Sequence, residues 1–91
     1  MGNHTILLVD DDSGVRKAIE RILQNEPYQR LYASDAIEAQ KNIRENKIHL
    51  VITDIMMPGI DGFELLKWVK GNYPGIVRMV LSTKNQIQEQ F

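Results

Sequence analysis

Polar groups stand in three places where an apolar run breaks off. Asp10-Asp11-Asp12 follow Ile6-Leu7-Leu8-Val9, Asp54 follows Val51-Ile52-Thr53, and Ser82-Thr83 follow Met79-Val80-Leu81. Several carboxylates in one small site repel one another, and a cation relieves that repulsion. A hard divalent ion suits them. Mg²⁺ takes oxygen ligands, keeps several waters, and is commonly held by one or two carboxylates plus phosphate oxygens. The Ser82 hydroxyl could donate a hydrogen bond to a phosphoryl oxygen. Phosphoryl transfer asks for in-line geometry and neutralised charge, which this set of groups supplies. The plainer reading of each residue stands beside this one. A single Asp after a strand is ordinarily a turn former or a helix cap, and Asp61 is read as a cap. Three consecutive aspartates also suit a solvated turn. The recurrence of polar groups at three strand ends is what favours a shared site.

The elements that must position these groups follow from the apolar pattern. Ile6 to Val9 reads as a strand buried on both faces. Ser13 is the expected N-cap of a helix whose apolar face is Val15, Ala18, Ile19, Ile22 and Leu23, closed by Pro27. Tyr28 to Ala33 is a more polar strand, suited to a sheet edge. A helix from about Asp35 to Asn46 turns Ala36, Ala39 and Ile43 inward, and Ile48 to Thr53 is the third strand. Pro58-Gly59 marks a turn, and Asp61-Gly62 opens a helix with Phe63, Leu65, Leu66, Trp68 and Val69 as its stripe, ended by Gly71 and Pro74. Ile76 to Leu81 is the fourth strand, and Thr83 to Phe91 could begin one more helix. Strands and helices in alternation imply a parallel sheet with right-handed crossovers. In such sheets chemistry gathers at the carboxyl ends of the strands, where the polar groups stand.

Bulk properties narrow the function classes. With 91 residues the chain is expected to form one domain, residues 1–91. A net charge of −1 gives no overall field that would attract nucleic acid or an anionic membrane. No apolar run is long enough to span a bilayer, and residues 1–5 lack the basic and apolar regions of a signal peptide. Without cysteine, disulfide and thiol chemistry are excluded, a pattern that suits a cytoplasmic location. His4 and His49 are expected at the surface or rim, and the Met56-Met57 pair is expected to pack within a loop.

Two long motifs carry a resemblance. Ile6-Leu7-Leu8-Val9-Asp10-Asp11-Asp12 resembles the opening strand of response-regulator receiver domains. Val51-Ile52-Thr53-Asp54-Ile55-Met56-Met57-Pro58-Gly59-Ile60-Asp61-Gly62 is very similar to that family's phosphoacceptor segment, and Met79-Val80-Leu81-Ser82 to its fourth strand. The resemblance runs from about residue 5 to 91. It implies a flavodoxin-like α/β fold, a parallel sheet with helices on both faces. It also implies that Asp54 accepts a phosphoryl group from a histidine kinase or phosphotransfer partner. Asp10, Asp11 and Asp54 would hold Mg²⁺ with the Met56 backbone carbonyl, and Ser82 would contact the phosphoryl group. Asp12 is expected to have no direct role at the metal.

Departures from the family are also legible. The family has five strands and five helices, so this chain is expected to be an incomplete receiver of four strands. It would lack the fifth strand with its lysine and aromatic residue, and the fifth helix. Lys84 does not match that lysine, Thr83 replaces a smaller residue, and Gln40 stands where an apolar one is usual. Ile76 to Leu81 would then be an exposed apolar edge beside a partly uncovered sheet face. A homodimer through the fourth strand and the Thr83 to Phe91 segment is the expected consequence. Two other functions remain open at this point. One is a degenerate receiver acting only as an assembly element. The other is a haloacid-dehalogenase-type phosphatase, whose first two motifs Asp10-x-Asp12 and Ser82 imitate, but which leaves Asp54 idle.

Overall fold

The computed structural model describes residues 4–81. Within them, β1 (Thr5–Val9), α1 (Ser13–Leu23), β2 (Gln29–Ala33), α2 (Ala36–Glu45), β3 (Leu50–Asp54), α3 (Gly62–Asn72) and β4 (Val77–Leu81) follow one another. The strands form one sheet in the order β2-β1-β3-β4, with every neighbouring pair parallel. The alternating pattern therefore gives the α/β fold it implies, with the polar β2 on an edge. Register levels the strand ends. Val9 lies opposite both Ala33 and Thr53, and Asp54 lies opposite Leu81.

Side chains alternate across the sheet, so each strand serves two cores. On one face Leu7, Val9 and Val51 meet Ala36, Ala39 and Ile43 of α2 and Leu65 and Val69 of α3. Two helices close this face, and Leu7, Ala39, Val51, Leu65 and Val69 are wholly buried. Gln40, the polar residue in an apolar position, is half-buried there. On the other face Ile6, Leu8 and Ile52 pack against Ile19 and Leu23 of α1 and against Tyr28 and Tyr32. The acid of Glu20 accepts a hydrogen bond from the Tyr32 hydroxyl and pairs with Arg30 at 3.5 Å, which ties α1 to the β2 side.

The apolar stripes are not buried as fully as their spacing suggests. Among α1 residues none is fully buried, Ala18 is exposed, and Ile22 is 72% exposed. Phe63 of α3 is likewise exposed. On the α1 face, among the described residues, no second helix lies beside α1 to cover the flank of its stripe, and the sheet is wider than that one helix. Four strands about 4.8 Å apart set their outer axes roughly 14 Å from each other. A single helix is only about 10 Å across. Held toward β2, α1 leaves an open groove of about 1020 Å³ whose lining includes Leu23, Tyr28, Leu50, Ile52, Val77 and Met79.

This division predicts unequal sensitivity to truncation. Leu7→Ala, in the face closed by two helices, should destabilise by about 2–5 kcal/mol in urea unfolding. Ile22→Ala should change stability by less than about 0.5 kcal/mol, because little surface is withdrawn from water at that position.

Candidate metal and phosphoacceptor site

Each aspartate of the first cluster has its own task. The Asp10 backbone N–H donates to the Ala33 carbonyl at 3.0 Å, so the β1–β2 ladder runs one residue beyond the strand. Its side chain is wholly buried, and Oδ1 accepts the Asp12 N–H at 2.9 Å. Asp12 turns away to cap α1, its Oδ1 accepting from the N–H groups of Gly14 at 2.8 Å and Val15 at 3.4 Å. The cap is thus Asp12 and not the expected Ser13, which is the first helical residue. A carboxylate is also the better partner for the positive end of a helix. Asp11, between the two, is exposed.

Asp54 reaches the same place along β3. It is the last residue of the strand and 1% exposed. Because β1 and β3 are neighbours, ligand oxygens of Asp10, Asp11 and Asp54 all lie within 4.8 Å of one another. Oxygens across an octahedral Mg²⁺ lie roughly 4 Å apart, so a slight contraction would fit the trio to such an ion. The donors are all oxygen, two buried and one open to solvent. That is the chemistry of a hard cation with waters left in its shell. Of the other expected site residues, Ser82 lies outside the described residues. Leu81, the residue before it, pairs with Asp54. The Met56 side chain is exposed, whereas Met57 is buried under β3.

The loop after Asp54 is fixed from several sides. Gly59 adopts φ 78°, a left-handed conformation that glycine takes without strain, and so makes the Pro58-Gly59 turn. Asp61 caps α3 as expected, accepting the Glu64 N–H at 2.9 Å. Gly62 donates its N–H to the Ile55 carbonyl at 2.9 Å. A Cβ on Gly62 would stand 2.1 Å from the Asp54 carbonyl oxygen, so only glycine permits this approach. Thr53 is buried beside them, its hydroxyl donating to the Asp54 carbonyl at 2.9 Å. Thr53 was not legible as a site neighbour, although a hydroxyl in the otherwise apolar run before Asp54 is the signal. His4 and His49 lie at the amino ends of the strands, where the Thr5 N–H donates to His49 Nδ1 at 3.0 Å. They play no part in the acidic cluster.

Comparison with known proteins agrees with this architecture. The family profile described as response regulator receiver domain matches residues 6–90. The response regulator GtcR of Aneurinibacillus migulanus is 38% identical over 82 residues, which are 90% of this chain and 34% of GtcR. Sporulation initiation phosphotransferase F of Bacillus subtilis is 36% identical over 70 residues, 77% of this chain and 56% of that protein. Among solved structures, the signal receiver domain of an HD domain-containing protein from Pseudomonas fluorescens Pf-5 superposes with a TM-score of 0.87 at 28% identity. That match covers 93% of this chain and 68% of the other. The chain belongs to the response regulator receiver domain family. It spans about a third of the length of GtcR, at 34%. Among the described residues no helix is long and apolar enough to cross a membrane.

The cluster predicts a cation-dependent stability. A divalent ion that binds only the folded chain, supplied at about ten times its dissociation constant, should stabilise by roughly 1.4 kcal/mol. Thermal unfolding with and without Mg²⁺ measures this gain. Asp11→Ala should shrink it, because Asp11 supplies one of the three clustered oxygens.

Proposed function

We propose that residues 1–91 act as one phosphoacceptor module of a two-component phosphorelay. The observation that carries this reading is the buried Asp54 at a strand end, within 4.8 Å of Asp10 and Asp11 oxygens. An Asp54 carboxylate oxygen attacks the phosphorus of a phosphohistidine on a histidine kinase or phosphotransfer protein. The P–O bond forms as the P–N bond breaks, and the imidazole leaves carrying a proton. Asp10, Asp11, Asp54 and the Met56 backbone carbonyl hold Mg²⁺, which when bound neutralises charge on the phosphoryl oxygens. The Ser82 hydroxyl contacts the transferred group. The likeness to a sporulation phosphotransferase and to response regulators supports the relay. The module is a signalling element, not an enzyme on an external substrate, and at most promotes gain and loss of its own phosphoryl group. Its setting is the cytoplasm, and the acidic balance of the chain argues against nucleic-acid binding by this segment.

Incubation with Mg²⁺ and a small acyl phosphate, followed by peptide mass analysis, tests the assignment. Label should fall on Asp54, and Asp54→Asn should abolish it while the fold persists. Label on Asp10 would instead favour the phosphatase chemistry, and a folded chain that takes no label would favour a purely assembling receiver.

A second copy of the chain is the proposed partner of the β4 side. Among the described residues β4 is an edge strand, and Val77 and Met79 are 61% and 49% exposed beside the open groove. Such edges invite pairing. The proposed interface also includes the Thr83 to Phe91 segment, which lies outside the described residues. Sedimentation should show a concentration-dependent dimer that a charged substitution, Met79→Lys, weakens. A folded monomer at high concentration would contradict it.

A further inference from the structure

Among the groups that fix the loop carrying the acidic site is one buried hydroxyl, that of Thr53. Thr53 is 0% exposed, and its strand neighbours on the same face, Val51 and Val9, are apolar. Valine has the same shape and would fill the position with no polar atom to satisfy. A buried hydroxyl is unfavourable unless it finds a partner. Here it donates to the Asp54 carbonyl at 2.9 Å, and the softer Met57 sulfur stands 4.0 Å away. That carbonyl belongs to the last register pair of the β3–β4 ladder, where the chain leaves the sheet. Its other flank is closed by Gly62, where an added Cβ would lie 2.1 Å from the same oxygen. The peptide after Asp54 is therefore held between a hydroxyl and the first residue of α3. Its orientation sets where Asp54 and the following Ile55-Met56 segment point.

We infer that Thr53 is a positioning residue for the metal and phosphoacceptor site, acting through the Asp54 carbonyl. The inference rests on the proposed reading of Asp10, Asp11 and Asp54 as the Mg²⁺ cluster. A merely structural Thr53 would matter for stability and not for the metal. A positioning Thr53 would matter for the metal in a chain that remains folded. Valine separates the two, because it keeps the volume and removes the hydroxyl.

Three proteins decide the question: the parent chain, Thr53→Val and Thr53→Ser. Mg²⁺ affinity is read by titration calorimetry, the fold by amide spectra and thermal midpoint, and modification by the rate of Asp54 labelling. Thr53→Val should remain folded at the assay temperature yet bind Mg²⁺ about fivefold more weakly, the scale of one lost hydrogen bond. Labelling should slow with it, and Thr53→Ser should restore both. Parent-like Mg²⁺ affinity in a folded Thr53→Val overturns the inference, as does an equal loss in Thr53→Ser. Should the valine variant fail to fold, Thr53→Ala against Thr53→Ser makes the same comparison, and equal affinities overturn it. A parent chain that neither binds Mg²⁺ nor takes label on Asp54 overturns the underlying reading, and this inference with it.

Discussion

Asp10, Asp11 and Asp54 hold ligand oxygens within 4.8 Å of one another. Like charges that close repel by about 1 kcal/mol in water and by several times that in less polar surroundings. Something must hold them there. Asp10 and Asp54 end adjacent parallel strands whose register sets Val9 opposite Thr53. Neither can retreat without breaking the β1–β3 ladder. Behind them Leu7, Val9 and Val51 are wholly buried, so the apolar core resists what the acids would relieve. The third acid sits on the exposed turn. The arrangement is a buried pair with an exposed companion.

The two sheet faces divide stability from exposure. The face closed by α2 and α3 contains most of the wholly buried side chains, and it lies under Thr53 and Met57 of the Asp54 loop. Among the described residues the other face is covered by α1 alone, held toward β2 through Glu20, Tyr32 and Arg30. Tight packing beneath the loop favours fixed geometry at the acids. Looser packing on the α1 face leaves apolar surface on α1, β3 and β4 available for contact.

How much of this could be read from the residues depends on how local the cause is. Three strands were legible because short apolar runs end in polar residues, β2 as a more polar edge strand, and α2 because Ala36, Ala39 and Ile43 recur at helical spacing. Asp54, Asp10 and Asp11 were legible as a motif, and strand adjacency then brings them together. The cap of α1 was misplaced by one residue, since Asp12 and Ser13 are both good caps and only the backbone chooses between them. Ile22 and Phe63 sat in apolar stripes yet point to solvent. A stripe shows which face of a helix can be buried, not whether a neighbouring element stands beside it to complete the burial. Thr53 escaped for a related reason. Its importance comes from the carbonyl it reaches and from the glycine on that carbonyl's far side.

The remaining aspartates explain how so acidic an edge avoids becoming one diffuse charge cloud. Asp12, Asp35 and Asp61 each accept backbone N–H groups at the start of a helix. Their charge is balanced by the positive ends of α1, α2 and α3. Asp10 stands between the two roles. One oxygen accepts the Asp12 N–H, which fixes the plane of the carboxylate, and Oδ2 is buried. That hydrogen bond joins the cap of α1 to the acidic cluster through a single residue. The turn from Asp10 to Asp12 therefore sets both where α1 begins and how the Asp10 carboxylate faces Asp54. The link gives the site a short mechanical path to α1, the helix whose side chains are least buried.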